Sequence, residues 1–473
     1  MEATSRSFKE NARRALGDER LQQSLGILMR EGFPARRARA VARLPEFEAL
    51  REEGKAIKDH VLANLDFYLE RFERNVEANG GTVHWCRTAE EANAAVLAIC
   101  RKLGARLVTK GKTMIGEEIA LNDFLAAHGV TPVETDLGEY ILQIRNDPPS
   151  HIIAPAIHLA KEQVAESFRA THKNLDPARP LVEARAMLEE ARTLLREKFL
   201  AADVGITGAN LLIAETGSSI IVTNEGNGDL TQTLPKAHIV LASLEKLVPT
   251  LEDAATVLRL LARSATGQEF STYTTISTGP RRAADLDGPG EYHVVLIDSG
   301  RSALLGGEFQ DMLRCIRCAA CLNHCPVYGA VGGHAYGWVY PGPMGAVLTP
   351  TLIGIENAGN LPNASTFCGK CESVCPMKIP LPRLMRHWRE REFAQRLAPR
   401  TARWGLGLWA FVAQHPVLYR FASATAARVL GWFGGRGRFR SLPLARGWTD
   451  VRDMPAPEGR SFMSLWVTRE EEK

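Results

Sequence analysis

The sequence lacks any uninterrupted apolar stretch of the roughly eighteen residues that a membrane span needs, and its opening Met1-Glu2-Ala3-Thr4-Ser5-Arg6 lacks the apolar core of a secretory leader. Neither insertion nor export is expected, and the chain reads as cytoplasmic, soluble or at most peripheral to the inner face of a membrane. It has little excess charge: 58 basic residues against 54 acidic ones leave a net +4, which gives no footing for nucleic acid. The nucleotide fingerprints are missing as well. Lys110-Gly111-Lys112-Thr113 looks like the end of a P-loop, but Arg106 stands where the leading glycine belongs, which argues against nucleotide hydrolysis. Thr223-Asn224-Glu225-Gly226-Asn227-Gly228-Asp229 carries glycines without the G-x-G-x-x-G order, so a dinucleotide site is not supported. Cysteine is scarce and odd in number, nine in 473 residues. Seven of the nine fall in two short runs; Cys86 and Cys100 stand apart and read as small buried apolar residues in a reducing compartment.

The first run is Cys315-Ile316-Arg317-Cys318-Ala319-Ala320-Cys321-Leu322-Asn323-His324-Cys325-Pro326, the C-x2-C-x2-C-x3-C-P spacing in which three thiols grip one iron–sulfur cubane and the fourth serves another. The second is Cys368-Gly369-Lys370-Cys371-Glu372-Ser373-Val374-Cys375-Pro376, with Ser365 where a further cysteine would align. Crossed pairing assigns Cys315, Cys318, Cys321 and Cys375 to one 4Fe–4S cluster, and Cys325, Cys368 and Cys371 to a second. The second set offers three thiolates, so its remaining iron is either absent, giving 3Fe–4S, or bound by Ser365, water, another residue or a partner. Structural zinc prefers paired C-x2-C knuckles, and a three-thiol loop closing on C-x3-C-P disfavours it.

A chain of this length exceeds one typical core, so several domains are expected. Residues 1–60 read as helical. Val61, Leu65, Tyr68, Leu69, Phe72 and Val76 continue at helical spacing to Asn79-Gly80-Gly81, a left-handed stop. Residues 61–300 then read as one α/β domain, with short apolar runs alternating with capped helices as in a parallel sheet. Strands are predicted at Thr82–Cys86, Arg106–Thr109, Val130–Glu134, His151–Ala156, Leu211–Glu215, Ser219–Thr223, His238–Ala242, Thr272–Ser277 and Tyr292–Ile297. Helices are predicted from Thr88 to Leu103, over Glu117–His128, Leu181–Ala201 and Leu251–Ala262. Residues 301–395 carry the cysteine runs and, between them, Tyr336-Gly337-Trp338-Val339-Tyr340-Pro341-Gly342-Pro343. That segment is either a cluster-tuning wall of backbone donors and aromatics or simply a packed turn. Residues 396–473 form a basic helical tail with Trp404, Trp409, Phe411, Phe421 and Trp432; packing or subunit docking is favoured over membrane contact because His415-Pro416 breaks the apolar face.

Polar candidates in the α/β region lie at predicted strand ends, where open sheets collect ligands. They are Gly205–Asn210, Glu215–Ser218 and Thr223–Asn227, with the carboxylates Glu117, Glu118, Asp136 and Glu139 and the imidazoles His151 and His158. Each residue type also caps helices or braces turns, so none is assigned a catalytic role.

Four segments give the middle region a resemblance to the lactate-utilisation (LUD) domain family. They are Glu134-Thr135-Asp136-Leu137-Gly138-Glu139-Tyr140, Pro148-Pro149-Ser150-His151-Ile152-Ile153-Ala154-Pro155-Ala156, Gly205-Ile206-Thr207-Gly208-Ala209-Asn210 and Ala214-Glu215-Thr216-Gly217-Ser218. Joined to the paired cysteine runs and the basic tail, the whole chain resembles the LutB (LldF-type) family of iron–sulfur subunits in bacterial LutABC complexes, which oxidise L-lactate to pyruvate. The resemblance implies an α/β fold related to the NagB/RpiA/CoA-transferase group, ferredoxin-type helical packing around two clusters, and ligands at Cys315, Cys318, Cys321, Cys325, Cys368, Cys371 and Cys375. It implies LutA-like and LutC-like partners. Ser365 agrees with the family, whose second cluster is also described with three cysteines.

The expected function is therefore electron transfer: two clusters split a two-electron oxidation into single steps, with Arg314, Arg317 and Lys370 placed either to raise their potentials or simply as surface charges. The alternatives are an α/β domain that itself binds the acid near Glu215 and Asn224, and a redox-sensing scaffold.

Overall fold

The computed structural model describes residues 3–434, 437–442, 446–449 and 452–471. Met1 and Glu2 of the segment read for a leader, and residues 435–436, 443–445, 450–451 and 472–473 of the predicted 396–473 region, lie outside them. Five strands come first in the chain: Thr82–Cys86 (β1), Leu107–Lys110 (β2), Thr131–Glu134 (β3), Val204–Gly208 (β4) and Leu211–Ile213 (β5). Ser218–Thr223 (β6), Ala237–Ser243 (β7), Leu247–Val248 (β8), Tyr273–Ser277 (β9) and Glu291–Ile297 (β10) follow.

Six of these strands form one sheet in the order β1-β10-β7-β4-β2-β3, every pair parallel. Strand alternation divides its two faces. Ile239, Leu241, Val295 and Ile297 pack with Val96, Leu97 and Cys100 of helix Ala89–Lys102. The intervening Val240, Ala242, Val294 and Leu296 pack with Leu65, Leu69, Phe72 and Val76 of helix Leu65–Ala78. Period-two side chains thus cover both faces with helices, the arrangement a buried parallel sheet requires. Cys86 and Cys100 sit in the first of these cores, as expected, and burial pushes each thiol up to about 11.

The remaining four strands make a second sheet, β8-β5-β6-β9. Its central hairpin turns through Gly217 at φ +66, where an added Cβ would lie 2.4 Å from the Val76 nitrogen. Leu211–Glu215 and Ser219–Thr223, both read as strands, form this hairpin of β5 with β6, in a sheet separate from the six-stranded one. Three local expectations change. The helix predicted over Glu117–His128 is two helices, Met114–Glu118 and Leu121–Ala127, broken at Ala120 with φ 53. Helix Phe47–Ala63 likewise stops before Leu65–Ala78 begins. His151–Ala156 forms no strand. His151 Nδ1 accepts from the Ile153 and Ala154 amides, 3.0 Å each, which curls the segment and consumes the donors a sheet would need.

The cysteine-bearing segment does not have a core of its own. One hydrophobic cluster joins its Ile316, Leu322, Tyr328, Met344 and Leu384 to Phe8, Leu25 and Phe47 of the N-terminal helices, to Leu211 and Ile220 of the second sheet, and to Leu258 and Leu261 of helix Leu251–Ala265. Residues 1–391 accordingly form one compact unit and residues 392–473 another. In the latter, helices Arg400–Gln414 and Pro416–Phe433 contain no buried residue.

Candidate metal centre

The loop from Cys315 to Cys321 holds two non-glycine residues in the left-handed region, Arg317 at φ 59 and Ala319 at φ 62. Alternating handedness of this kind turns successive backbone N–H groups to one side, a concavity suited to anions and cluster sulfur. Cys315, Cys318 and Cys321 from this loop line one cavity together with Cys375, which arrives from far along the chain. Apart from Arg317, the wall between them is hydrophobic, including Ile152, Met312, Met344, Met377 and Ile379. The Ile379 amide donates to Cys375 Sγ at 3.5 Å, and Arg51 donates through Nε and Nη2 to the Cys375 carbonyl at 3.0 and 2.6 Å. Arg37 Nη2 donates to the Val374 carbonyl at 3.0 Å.

Cys325, Cys368 and Cys371 form a second neighbourhood. Burial pushes the Cys371 thiol up to about 12, with Cys325 and Cys368 adding to it. Burial likewise raises Cys325, with Cys368 contributing. Cys368 is exposed, and the Lys370 amide lowers its pKa. The two neighbourhoods adjoin, because Cys321 of the first is raised by burial and then by Cys315, Cys318, Cys375 and also Cys371. Ser365 is half-buried, and its hydroxyl accepts from the Phe367 amide at 3.1 Å.

These surroundings fit iron–sulfur clusters. Thiolates crowded in apolar walls demand a bound cation, and ligation by metal supplies it. Tyr336 adds an independent mark: it is fully buried and its hydroxyl has no partner among the described residues. Burial, then Cys325, Tyr328, Cys321 and Cys371, hold its phenol well above the ordinary range. A buried O–H among the thiols of both neighbourhoods lacks only an acceptor, and cluster sulfur is one.

Behind the first loop lies a buried ion network that the sequence did not disclose. Glu245 meets Arg317 at 3.1 Å and Arg301 at 3.4 Å, while Arg301 also pairs with Glu118 at 2.6 Å. Burial would raise Glu245, but Arg301, Arg317 and Lys246 outweigh it and hold the carboxyl down to about 2. The Tyr340 hydroxyl donates to Glu118 at 2.6 Å, and Arg317 stacks 5.2 Å over the Tyr340 ring. Of the three cations expected to tune the clusters, Arg317 is thus committed to this network. Arg314 pairs with Asp311 at 2.8 Å and Asp59 at 3.2 Å, and Lys370 is exposed. Contributions from Glu245, Arg301, Arg37 and Arg51 were missed, since nothing in their spacing separates them from surface charges.

Of the α/β candidates, Asp136, Asn210 and Thr223–Glu225 come together at one cavity, whereas Glu117, Glu118, Glu139, His151, His158 and Glu215 lie apart from it. Glu117 pairs with Lys110 at 3.1 Å, and Asp136 caps helix Leu137–Arg145. Glu139 is buried with both oxygens unpartnered, and burial raises it well above the carboxylate range. His151 Nε2 bonds Asn323 Oδ1 at 2.7 Å, and burial lowers its pKa to about 4, so it ties the middle region to the cysteine segment as a neutral brace. His158 pairs with Asp147 at 2.9 Å. Glu215 accepts from the Leu251 amide at 3.4 Å, at the start of helix Leu251–Ala265. A cavity of about 260 Å³ lies where β2, β4 and β7 end, lined by Lys112, Asp136, Asn210, Thr223, Asn224 and Glu225 among others.

Comparison with known proteins agrees with this geometry. Residues 69–297 match the LUD domain family, residues 311–379 the 4Fe-4S dicluster domain, and residues 386–471 the C-terminal region of lactate utilisation protein B. With the paired cysteine runs, these matches give the chain two iron–sulfur clusters. The chain is 42% identical to lactate utilization protein B of Bacillus licheniformis over 100% of its own length and 99% of that protein's. It is 42% identical to the protein of the same name from Lysinibacillus sphaericus, covering 99% and 98% of the two chains. An Escherichia coli protein described as the uncharacterized electron transport protein YkgF is 40% identical, over 98% of this chain and 97% of that one. Three family matches in the same order and near-complete alignment with these relatives place the chain in the lactate utilization protein B family.

Proposed function

We propose that this chain carries electrons singly between an L-lactate oxidation site and an acceptor, supporting growth on lactate. The observation that carries the reading is the adjacency of the two thiol neighbourhoods: helix Ala320–Asn323, which carries Cys321, packs beside helix Lys370–Ser373, which carries Cys371. In this assignment Cys315, Cys318, Cys321 and Cys375 hold a 4Fe–4S cluster, and Cys325, Cys368 and Cys371 hold the second. When bound, such clusters take up and release one electron at a time. The chain's part is to keep water from the first site with Ile152, Met312 and Met344, to direct N–H groups at sulfur, and to hold the two sites adjacent. Oxidation of lactate to pyruvate releases two electrons and two protons, which two neighbouring one-electron sites suit.

LutA-like and LutC-like subunits are the proposed partners, with the tail as the docking surface. Between Arg400 and Phe433 there is no acidic residue, and Trp404, Trp409 and Phe421 of those helices are exposed. Among the described residues no helix is long and apolar enough to cross a membrane. The test is dye-linked lactate oxidation by anaerobically prepared, cluster-loaded chain, alone and with its partners. The relay reading expects no turnover alone and turnover with EPR-visible cluster reduction in the mixture. Turnover by the chain alone would favour catalysis in the α/β domain, which the cavity at Asn224 supports.

A further inference from the structure

Several polar atoms of residues lining the cavity at the ends of β2, β4 and β7 have no partner among the described residues. Lys246 is 8% exposed and makes no hydrogen bond or ion pair with any described residue, yet it lines this cavity. Arg317, Ser243 and Asn227 line it too, and Arg317 Nη1, Ser243 Oγ and Asn227 Oδ1 are buried without a partner among the described residues. Burying an ammonium unpaired is costly; such a group persists where a ligand completes it. Arg317 lies close enough to Lys246 to be the foremost charge acting on it, ahead of Glu245 and Cys315. The opposite character is also present: Leu241, Ile221, Leu261 and Ala265 supply an aliphatic wall.

We propose that this cavity binds a small organic monocarboxylate, its anionic head toward Lys246 and Arg317 and its carbon body against Leu241, Leu261 and Ala265. Ser243 and Asn227 then meet a hydroxyl or oxo group on that body. A single negative charge is specified by the rest of the lining. Lys112, the third cation, is already engaged with the Ile153 carbonyl at 2.6 Å, and Asp136 and Glu225 also line the cavity. A second carboxylate or a phosphate dianion would meet those two acids with only Lys112 to offset them, a cation whose charge already acts on Glu225. The volume of about 260 Å³ holds a molecule of a few carbons with water to spare, since a water takes about 30 Å³. Arg317 and Ile152 line both this cavity and the one around Cys315, Cys318, Cys321 and Cys375, so the bound acid sits one side chain away from the first thiol neighbourhood.

Anaerobic isothermal titration calorimetry on the full-length, cluster-loaded chain tests this with L-lactate, pyruvate, acetate and inorganic phosphate as probes. Saturable binding of monocarboxylates is expected, with phosphate neither binding nor competing at the same concentration. Lys246→Met should weaken binding about tenfold or more, as loss of a charge-assisted contact does. Ala265→Met, which fills the aliphatic end without altering charge, should weaken it as well while iron content and EPR spectrum stay those of the parent. This second variant decides the matter should Lys246→Met fail to fold. Absence of saturable binding by any monocarboxylate, competition by phosphate, or parental affinity in Ala265→Met overturns the site. The choice of lactate and pyruvate rests on the function proposed above. Binding of acetate without either of them would support the site and count against lactate and pyruvate as its ligands, leaving the relay to its own test.

Discussion

Tyr336 concentrates the chemistry of the cysteine segment in one hydroxyl. A donor aimed at cluster sulfur stabilises the more negative, reduced state and so raises the potential. Tyr336→Phe keeps the ring and its edge contact with Phe8 at 5.3 Å but removes the donor. Redox titration followed by EPR should show at least one cluster moving to a more negative potential with iron content unchanged; an unmoved potential would mean the hydroxyl faces no sulfur. Ser365 poses the complementary question. Its hydroxyl lies two residues before Phe367, in a turn it closes, on the approach to Cys368. Ser365→Cys is expected to convert a three-iron or labile second cluster into a stable four-iron one, read as loss of the three-iron EPR signal and slower bleaching in air. Spectra identical to the parent would place position 365 away from the iron.

At the scale of elements, the segment Pro148–Pro155 behaves as a strap. Tyr328 donates to the Ser150 carbonyl at 3.0 Å, and His334 Nε2 bonds the Pro148 carbonyl at 2.8 Å. Gly333 permits this approach, because a Cβ there would lie 1.7 Å from the Ser150 oxygen. Its apolar residues read as a strand in the sequence, but His151 curls it locally and the bonds that hold it in place come from residues nearly two hundred positions away. The helices Arg400–Gln414 and Pro416–Phe433 present the reverse case, apolar side chains without a core. Exposed aromatics of this density mark an interaction surface. Trp409→Glu with Phe421→Glu should abolish co-purification with the partner subunits and leave iron content intact; retained assembly would exclude this face as the docking surface.

For the whole of residues 1–391, stability is tied to the closure of shared cores. His238 lies within the main sheet, its Nε2 2.8 Å from Thr207 Oγ1, and burial lowers its pKa to about 3. An unfolded histidine takes up its proton near pH 6.5, so below that pH the unfolded chain binds more protons than the fold. Stability is complete above about 6.5 and falls by up to about 1.4 kcal/mol per pH unit below it for this one group. Thermal melts between about pH 7.5 and 5.5 should show this decline in the parent and a shallower one in His238→Asn; equal slopes would mean the histidine titrates freely. Removing iron by chelation should lower Tm and broaden the transition, measured by circular dichroism, because the cysteine segment contributes Ile316, Leu322 and Tyr328 to the core it shares with the N-terminal helices and metal binding adds directly to folding free energy.

Local chemistry was enough to read much of this protein. Thr82–Cys86 appears as a strand with the same bounds, Gly80 takes the positive φ its position demands, and the cysteine spacing by itself points to paired cluster sites. Those features depend on neighbours within a few residues, which a linear reading contains. What only the tertiary structure decided is which distant groups share a buried space. The pairing of Arg301 with Glu118, the strap held by Asn323 and Tyr328, and the unpartnered ammonium of Lys246 have no periodicity or motif. Each arises because a folded interior removes water, so that charges and donors remote along the chain become one another's solvent.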